Sequence, residues 1–280
     1  MSMSVSELVR LAKLRLETVA GEESQQQARL LVAAVIGAEP DALGVHTWMT
    51  ATDEQIALVG ELLERREQGE PLQYILGEWE FMGLPFYVDE RALIPRQDTE
   101  LLCETALERI TSRGYHSVLD LCTGSGCLAV AISRLAGAEL SVTAADVSAD
   151  ALALAAENAA LNETTVTFTE SDLFSKIDGR FDLIVCNPPY LSADDMANLQ
   201  KEVTFEPRLA LFGGEDGLDF YRRIAAEYES HLLPGGALLL EIGSTQSESA
   251  AALFGGKTNV LSDLGGNPRV LIVEPNEQKE

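Results

Sequence analysis

The sequence predicts an α/β protein in which an open, mainly parallel sheet follows a small helical domain. Two apolar runs, 117–121 and 181–186, have the length of buried strands, and each stops at polar or glycine residues. Before residue 77, by contrast, the apolar residues recur at helical spacing. A chain of 280 residues, of which 46% are hydrophobic, is long enough for both parts.

The N-terminal part is predicted to be helical from residue 4 to about residue 77. Apolar stripes cover 5–16 and 28–38, and Thr52 with Gln55 three residues later forms a capping-box pattern that begins another helix. We therefore predict a helical domain over residues 1–77, with a role in substrate recognition that the family resemblance below implies.

The stretch 78–88 alternates aromatic and polar residues around Gly83-Leu84-Pro85, which is typical of a β-hairpin. We predict a hairpin linker over residues 78–95 that fixes the orientation of the two domains. The catalytic domain is then expected over residues 96–280.

A glycine-containing loop follows the first predicted strand, and an apolar helix begins directly after it at Cys127. The loop consists of Cys122, Thr123, Gly124, Ser125 and Gly126. Its glycines let a ligand approach the backbone closely and leave the N-terminus of the helix accessible. We predict a cofactor-binding loop.

Two acidic residues indicate which cofactor this is. A second strand, 140–145, ends at Asp146, about 20 residues past the loop, where an acidic side chain commonly accepts ribose hydroxyls. The loop alone also fits the loose dinucleotide pattern, but Asp120, just before it, would repel a pyrophosphate. A carboxylate there suits the cationic amino-acid head group of S-adenosylmethionine.

The strand 181–186 ends at Asn187-Pro188-Pro189-Tyr190, where ligands of open α/β sheets bind. The two prolines fix the backbone and remove two amide donors. The Asn187 side chain and the Pro188 carbonyl then form an acceptor-rich clamp for a planar NH2 group, with Tyr190 expected to pack on the amide face. Loop, Asp146 and clamp together resemble class I S-adenosylmethionine-dependent methyltransferases, which have a Rossmann-like seven-stranded sheet with an antiparallel last strand.

The resemblance extends to one family, HemK/PrmC, from Pro71-Leu72-Gln73-Tyr74 to Asn267-Pro268-Arg269-Val270. Residues 94–100, Ile-Pro-Arg-Gln-Asp-Thr-Glu, are similar to its Pro-Arg-Pro-x-Thr-Glu element, and 205–218 are similar to the segment that follows its clamp. The resemblance implies N5-methylation of the glutamine in the Gly-Gly-Gln motif of class I peptide chain release factors.

The resemblance also implies roles for individual residues. Arg96, Thr99 and Glu100 match the Pro-Arg-Pro-x-Thr-Glu element and are expected near the substrate. Leu173 lies where the family places a residue near the adenine. Asp172 is expected either to reach the adenine amino group or to cap the next turn.

The sequence departs from the family pattern at two positions. Cys122 stands where the family usually has glycine, and Gln97 replaces the second proline. Cys122 restricts the backbone angles at the start of the loop, whereas Gln97 frees a dihedral that proline would fix. Neither departure removes a reacting group.

The charge balance argues against a nucleic-acid substrate. With 45 acidic and 20 basic residues the net charge is -25, which leaves no basic stripe for phosphates. Asn-Pro-Pro-Tyr also occurs in DNA adenine methyltransferases, but those need a duplex-binding groove. A ribosomal-protein glutamine methyltransferase, a non-catalytic cofactor-binding scaffold and a nicotinamide dehydrogenase remain the alternatives. No targeting or membrane segment is visible, so cytoplasm is the expected location.

The remaining elements follow in order. A capped, alanine-rich helix is predicted to follow Asp146 and end at Leu161, with a strand at 164–168. The segment 191–219 shows no clear strand and is long enough for a lid beside the clamp. A helix at 220–233, a strand at 236–242, a helix at 247–254 and two final strands complete the sheet.

Overall fold

A computed structural model describes residues 3–45, 49–137 and 139–276. The chain forms two compact units. One contains the described residues up to Gly77 together with Gln200–Phe205, and the other contains the described residues of 78–199 and those from Glu206 onwards. The first is called the helical unit and the second the catalytic unit. No helix among the described ranges is long and apolar enough to cross a membrane.

The helical unit contains four α-helices, two 3-10 helices in its N-terminal part and a short antiparallel strand pair. These are β1 (Met3–Ser4), α1 (Val5–Ala20), the 3-10 helix Gly21–Glu23, α2 (Ser24–Ile36), the 3-10 helix Pro40–Val45, β2 (Thr50–Ala51), α3 (Asp53–Glu67) and α4 (Leu72–Leu76). The predicted capping box is confirmed: the Thr52 hydroxyl accepts the Gln55 amide, and the Gln55 side chain accepts the Thr52 amide. The apolar faces of the helices share one core.

Arg66 on α3 is a buried charge in this unit, and 2% of its side chain is exposed. Its Nε donates to Gln27 Oε1 at 3.0 Å, and its Nη2 donates to Glu202 Oε1 at 3.0 Å. A further bond reaches the Glu70 carbonyl at 3.3 Å. Arg66 thus holds the segment Gln200–Phe205 to the helices of the same unit.

We expect Arg66→Ala to lower the free energy of unfolding by about 3 kcal/mol, because a buried, hydrogen-bonded charge loses all its bonds and its packed stem. The neighbouring Arg65, whose side chain is 44% exposed and pairs with Glu70, is the matched control. Arg65→Ala should cost less than about 1 kcal/mol. Thermal unfolding of the full-length variants measures both, and equal midpoints would contradict the assignment.

The catalytic unit contains the remaining strands and helices. The strands are β3 (Glu78–Phe81), β4 (Leu84–Tyr87), β5 (Ser117–Leu121), β6 (Ser141–Asp146), β7 (Thr167–Glu170), β8 (Phe181–Cys186), β9 (Leu232–Glu241), β10 (Lys257–Ser262) and β11 (Pro268–Glu274). The α-helices are α5 (Gln97–Arg113), α6 (Cys127–Ala136), α7 (Ala149–Leu161), α8 (Ala193–Ala197), α9 (Asp219–Glu227) and α10 (Ser247–Ala251).

The predicted seven-stranded sheet is confirmed, with the order β10-β11-β9-β8-β5-β6-β7. β5 lies between β6 and β8, and both pairings are parallel. β11 runs antiparallel to both β9 and β10. The carboxyl ends of β5, β6 and β8 therefore meet at one edge, which is where open α/β sheets bind ligands.

The predicted hairpin forms as β3 and β4, and it lies in the catalytic unit. Phe81 and Phe86 are buried in the core of that unit and contact each other edge to face. Asn158 on α7 accepts the Tyr87 amide at 2.7 Å and donates to the Tyr87 carbonyl at 3.1 Å. The hairpin is thus part of the catalytic unit, and its role as a linker stays a prediction.

The segment 191–219 is more structured than the sequence suggests. It contains α8 and the 3-10 helices Glu202–Phe205 and Arg208–Ala210, and Leu191 pairs with Phe212 in an isolated parallel bridge. These turns are short, so they leave no clear periodicity in the sequence. A lid role for this segment stays a prediction.

Candidate active site

The loop after β5 adopts left-handed backbone angles at three positions. Cys122, Gly124 and Gly126 have φ values of 56°, 54° and 79°. A Cβ at Gly126 would lie 2.8 Å from the Ala155 Cβ, so glycine is required there for close packing on α7 as well as for its backbone angle. Cys122 occupies the same region with a side chain, which costs of order 1 kcal/mol relative to glycine.

Asp146 closes the loop from the carboxyl end of β6. Its Oδ2 accepts the Gly124 amide at 2.9 Å, and its Oδ1 accepts the Ser148 amide at 3.0 Å. Burial raises the pKa of Asp146, and these two backbone bonds oppose the rise. Asp146 also lines the pocket described below, as the ribose prediction requires.

Asp120, the fourth residue of β5, is fully buried. Its Oδ2 accepts the Thr123 hydroxyl at 2.6 Å and the Ala129 amide at 3.2 Å, whereas Oδ1 has no hydrogen-bond partner among the described residues. Burial raises the pKa of Asp120 to about 7, and the nearby Asp146 charge adds to the rise. A buried carboxylate oxygen without a partner is costly unless a ligand supplies a donor.

The Asn-Pro-Pro-Tyr segment follows β8, directly beside β5 in the sheet. Asn187 and Pro189 line the pocket, and the Asn187 Nδ2 donates to the Thr99 hydroxyl at 3.1 Å. Pro188 is buried. The Tyr190 hydroxyl donates to Glu241 Oε1 at 3.3 Å, and Tyr190 is not among the described residues that line the pocket.

Glu241 ends β9 and has 1% of its surface exposed. Its Oε2 accepts the Thr99 hydroxyl at 2.6 Å. Burial raises the pKa of Glu241 to about 7, while the Thr99 hydrogen bond and the Arg269 charge oppose the rise. Sequence reasoning missed this residue, although a carboxylate at the end of an apolar strand was a usable signal.

The residues that match the Pro-Arg-Pro-x-Thr-Glu element lie in two places: Arg96 and Thr99 at the pocket, and Glu100 at the hairpin. Arg96 forms an ion pair with the buried Glu206, which also accepts the Ile94 amide at 3.0 Å. Arg96 and Thr99 line the pocket. The Glu100 carboxylate accepts the Met82 amide at 2.8 Å, so in this structure it bonds to the turn of the hairpin.

Asp172 and Leu173 line the pocket after β7. The Asp172 carboxylate pairs with Arg223 at 2.8 Å, a contact that neither sequence interpretation included. Leu173 is buried and has a φ of 49°, so its backbone turns sharply at the pocket wall.

One pocket in the catalytic unit is lined by several of these groups, whereas Asp120, Tyr190 and Glu241 are not among the described residues that line it. Its wall includes loop residues 122–125, Asp146, Leu173 and Asn187. Sequence reasoning also missed part of this wall, namely Arg91, Ala92, Leu93, Val147, Ala151 and Phe220. The loop and Asn187 thus border the same pocket.

Comparisons with known proteins agree with this arrangement. Residues 97–206 match the family model described as "Methyltransferase small domain", and residues 7–77 match the "PrmC N-terminal domain". The release factor glutamine methyltransferase of Geobacter sulfurreducens is 43% identical over 236 residues, which cover 83% of this chain and 82% of that protein. The corresponding protein of Deinococcus radiodurans is 39% identical over 270 residues, covering 95% and 97%.

This chain belongs to the release factor glutamine methyltransferase family. The resemblance to HemK/PrmC that its motifs indicated is thereby confirmed.

Solved structures of other methyltransferases share the fold found here. The hMettl16 catalytic domain has a TM-score of 0.54 at 14% identity, covering 81% of this chain and 84% of its own. A T. thermophilus 16S rRNA N2 G1207 methyltransferase has a TM-score of 0.52 at 19% identity, covering 71% and 50%. The class I methyltransferase fold predicted from the sequence is confirmed.

Proposed function

We propose that this protein uses S-adenosylmethionine to methylate N5 of the glutamine in the Gly-Gly-Gln motif of class I peptide chain release factors. The observation that carries the proposal is a single pocket in which a glycine loop and Asp146 face the Asn187 clamp. Family membership supports the same activity.

The residues present fit the cofactor. Asp146 is placed for ribose hydroxyls and Leu173 gives an apolar wall for the adenine, and the acceptor proposed for the ammonium group is the unpartnered Oδ1 of Asp120, a buried residue that is not among the described pocket-lining residues. When bound, S-adenosylmethionine supplies an electrophilic methyl group. Loop residues 122–126 would hold it through their backbone.

The clamp would orient the target amide. An amide nitrogen is a poor nucleophile because its lone pair is delocalised into the carbonyl. We infer that Asn187 Oδ1 and the Pro188 carbonyl accept its two N–H groups and so direct the lone pair toward the cofactor side of the pocket. Such positioning can lower a barrier by about 7 to 11 kcal/mol. Pro188 and Pro189 keep the two acceptors in a fixed relation.

Tyr190 is assigned a different role from the one its sequence context suggested. Its hydroxyl is held by Glu241, and its ring packs against the apolar core of the catalytic unit. We therefore propose that Tyr190 supports the clamp rather than covering the face of the substrate amide. Arg96, Thr99 and Pro207 would border the path of the entering glutamine.

The partner proposed is the folded release factor, with the helical unit serving in its recognition. The net charge of -25 disfavours a nucleic-acid substrate and suits a protein partner that is less acidic. Since that partner acts in translation, we place the activity in the cytoplasm.

The test is intact mass followed by peptide mapping of an unmethylated class I release factor, incubated with this protein and S-adenosylmethionine. We expect one added methyl group, located on the Gly-Gly-Gln glutamine. No methyl group, with cofactor binding confirmed in the same sample, would overturn the proposed substrate. Repeating the assay with ribosomal proteins would then test the alternative glutamine substrate.

A further inference from the structure

A buried hydrogen-bond relay connects Glu241 to the clamp. Glu241 Oε2 accepts the Thr99 hydroxyl at 2.6 Å, and the Thr99 Oγ1 accepts the Asn187 Nδ2 at 3.1 Å. Thr99 is 2% exposed and Glu241 is 1% exposed, so water does not compete freely for either bond. Thr99 and Asn187 line the pocket, whereas Glu241 is not among the described residues that line it.

The direction of each bond in the relay is determined by Glu241. An ionised carboxylate only accepts hydrogen bonds, so the Thr99 proton must point toward Glu241. The Thr99 oxygen is then left as an acceptor, and an acceptor can hold Asn187 only by its NH2 end. The opposite end of that side chain, Oδ1, is therefore the one available to a ligand.

We propose that Glu241 is a positioning residue that acts through Thr99 to hold the Asn187 amide with Oδ1 presented to the substrate, which selects a side-chain amide over a carboxylate. This inference rests on the proposed function. With Asn187 Oδ1 held in this way and the Pro188 carbonyl proposed above as the second acceptor, the NH2 of glutamine would be bonded twice. A glutamate carboxylate meets two acceptors instead, and lone pairs oppose each other.

Tyr190 bonds to the second carboxylate oxygen of Glu241. Its hydroxyl donates to Glu241 Oε1 at 3.3 Å, so each carboxylate oxygen serves one hydroxyl. A glutamine at position 241 offers one accepting oxygen and one donating NH2, so it can serve both hydroxyls if one of them turns to accept. Glu241→Gln therefore either keeps the relay, with its oxygen facing Thr99 and its NH2 facing the Tyr190 oxygen, or presents its NH2 to Thr99 and turns Asn187 around, whereas Glu241→Leu removes both acceptors.

The relay requires both an acceptor at 241 and the hydroxyl at 99, which gives a matched set of variants. Thr99→Val removes the hydroxyl with almost no change in shape, and Thr99→Ser keeps it. Thr111→Val is the control, because Thr111 lies on the same helix α5, is exposed, and donates only to the Leu107 carbonyl.

The experiment measures binding of two release factors to the S-adenosylhomocysteine-loaded protein at pH 8, where Glu241 is ionised. One factor carries Gly-Gly-Gln and the other Gly-Gly-Glu. We expect wild type and Thr111→Val to prefer the glutamine factor by at least about tenfold, and Thr99→Val and Glu241→Leu to lose most of that preference. Thr99→Ser should restore most of what Thr99→Val loses.

Two further readouts separate this role from a merely structural one. Thr99→Val should lower the thermal midpoint, because the buried Glu241 Oε2 loses its donor, but a folding defect would weaken the binding of both factors equally and leave their ratio unchanged. The S-adenosylhomocysteine affinities of the variants should stay close to wild type. An unchanged ratio in Thr99→Val and Glu241→Leu, with wild type methylating its factor, overturns the relay alone. A wild-type protein that neither methylates nor prefers the glutamine factor overturns the proposed function and the relay together.

Discussion

Replacing Asn187 by alanine is expected to lower kcat/KM for the release factor by about 10²- to 10³-fold, the loss typical of removing one preorganised group at a reacting centre. Oδ1 is the acceptor proposed for the target amide, and alanine offers no acceptor in its place. Cofactor affinity should stay within about threefold, because the loop, Asp120 and Asp146 remain. Methyl incorporation followed by mass, together with calorimetry of S-adenosylhomocysteine, measures both quantities.

The control for this prediction is Asn259→Ala. Asn259 is exposed on the edge strand β10, at the far side of the sheet from β6, and its backbone pairs with Ile272. The same chemical change there should leave both kcat/KM and cofactor affinity unaltered. Should Asn187→Ala turn over within tenfold of this control, the clamp mechanism is wrong.

Much of the fold was predictable because its signals are local. A buried strand followed by glycines, an acidic residue at the next strand end and a rigid Pro-Pro pair each occupy a short run of consecutive residues. The parallel sheet then brings the three strand ends together without further information. For this reason the loop, Asp146 and Asn187 could be named from the sequence and are found on one pocket wall.

The side-chain pairs that support the pocket were not predictable, because their members are far apart in the sequence. Thr99 and Glu241 are 142 positions apart, and Arg96 and Glu206 are 110 apart. No periodicity links residues at such separations, and their pairing depends on which strands become neighbours. Only the positions of the carboxylates, one ending a buried strand and one before a proline in a signature segment, indicated that they had a special role.

Two site residues show how context changes a local interpretation. Asp172 was expected to serve either the adenine or a turn, yet its carboxylate pairs with Arg223 on α9. Glu100 belongs to a signature element but bonds the hairpin turn through the Met82 amide. In both cases the local sequence marks an acidic residue near the site, and the partner comes from a distant element.

Asp120→Asn is expected to weaken cofactor binding by about 10²-fold while raising the stability of the free protein. Affinity falls because asparagine is uncharged. In place of Oδ1, the unpartnered carboxylate oxygen proposed for the ammonium group, it offers either a neutral amide oxygen or an NH2 group. In the wild type the pKa of Asp120 is raised to about 7, so affinity should increase from pH 6 to pH 8 as the carboxylate ionises. The variant should lack that dependence.

The expected gain in stability and the expected loss of cofactor affinity have the same cause, which is removal of the buried charge of Asp120. Burial raises the pKa of Asp120 from an ordinary 3.8 to about 7, so its contribution to stability is complete below pH 3.8 and is lost as pH rises through about 7. At pH 8 the wild type therefore carries a buried charge that costs up to about 4 kcal/mol, part of which asparagine avoids. We expect its thermal midpoint at pH 8 to exceed that of the wild type by about 2 to 6 °C.

Asp182→Asn distinguishes this effect from a general loss of carboxylates. Asp182 accepts the His116 and Ser117 amides near the amino end of β8, on the opposite edge of the sheet from the pocket. Its replacement should lower the midpoint slightly and leave cofactor affinity and its pH dependence intact. If Asp120→Asn instead binds S-adenosylhomocysteine as tightly as this control, Asp120 serves only to hold Thr123 and the Ala129 amide. The buried charge would then be a cost of loop geometry rather than a contribution to cofactor recognition.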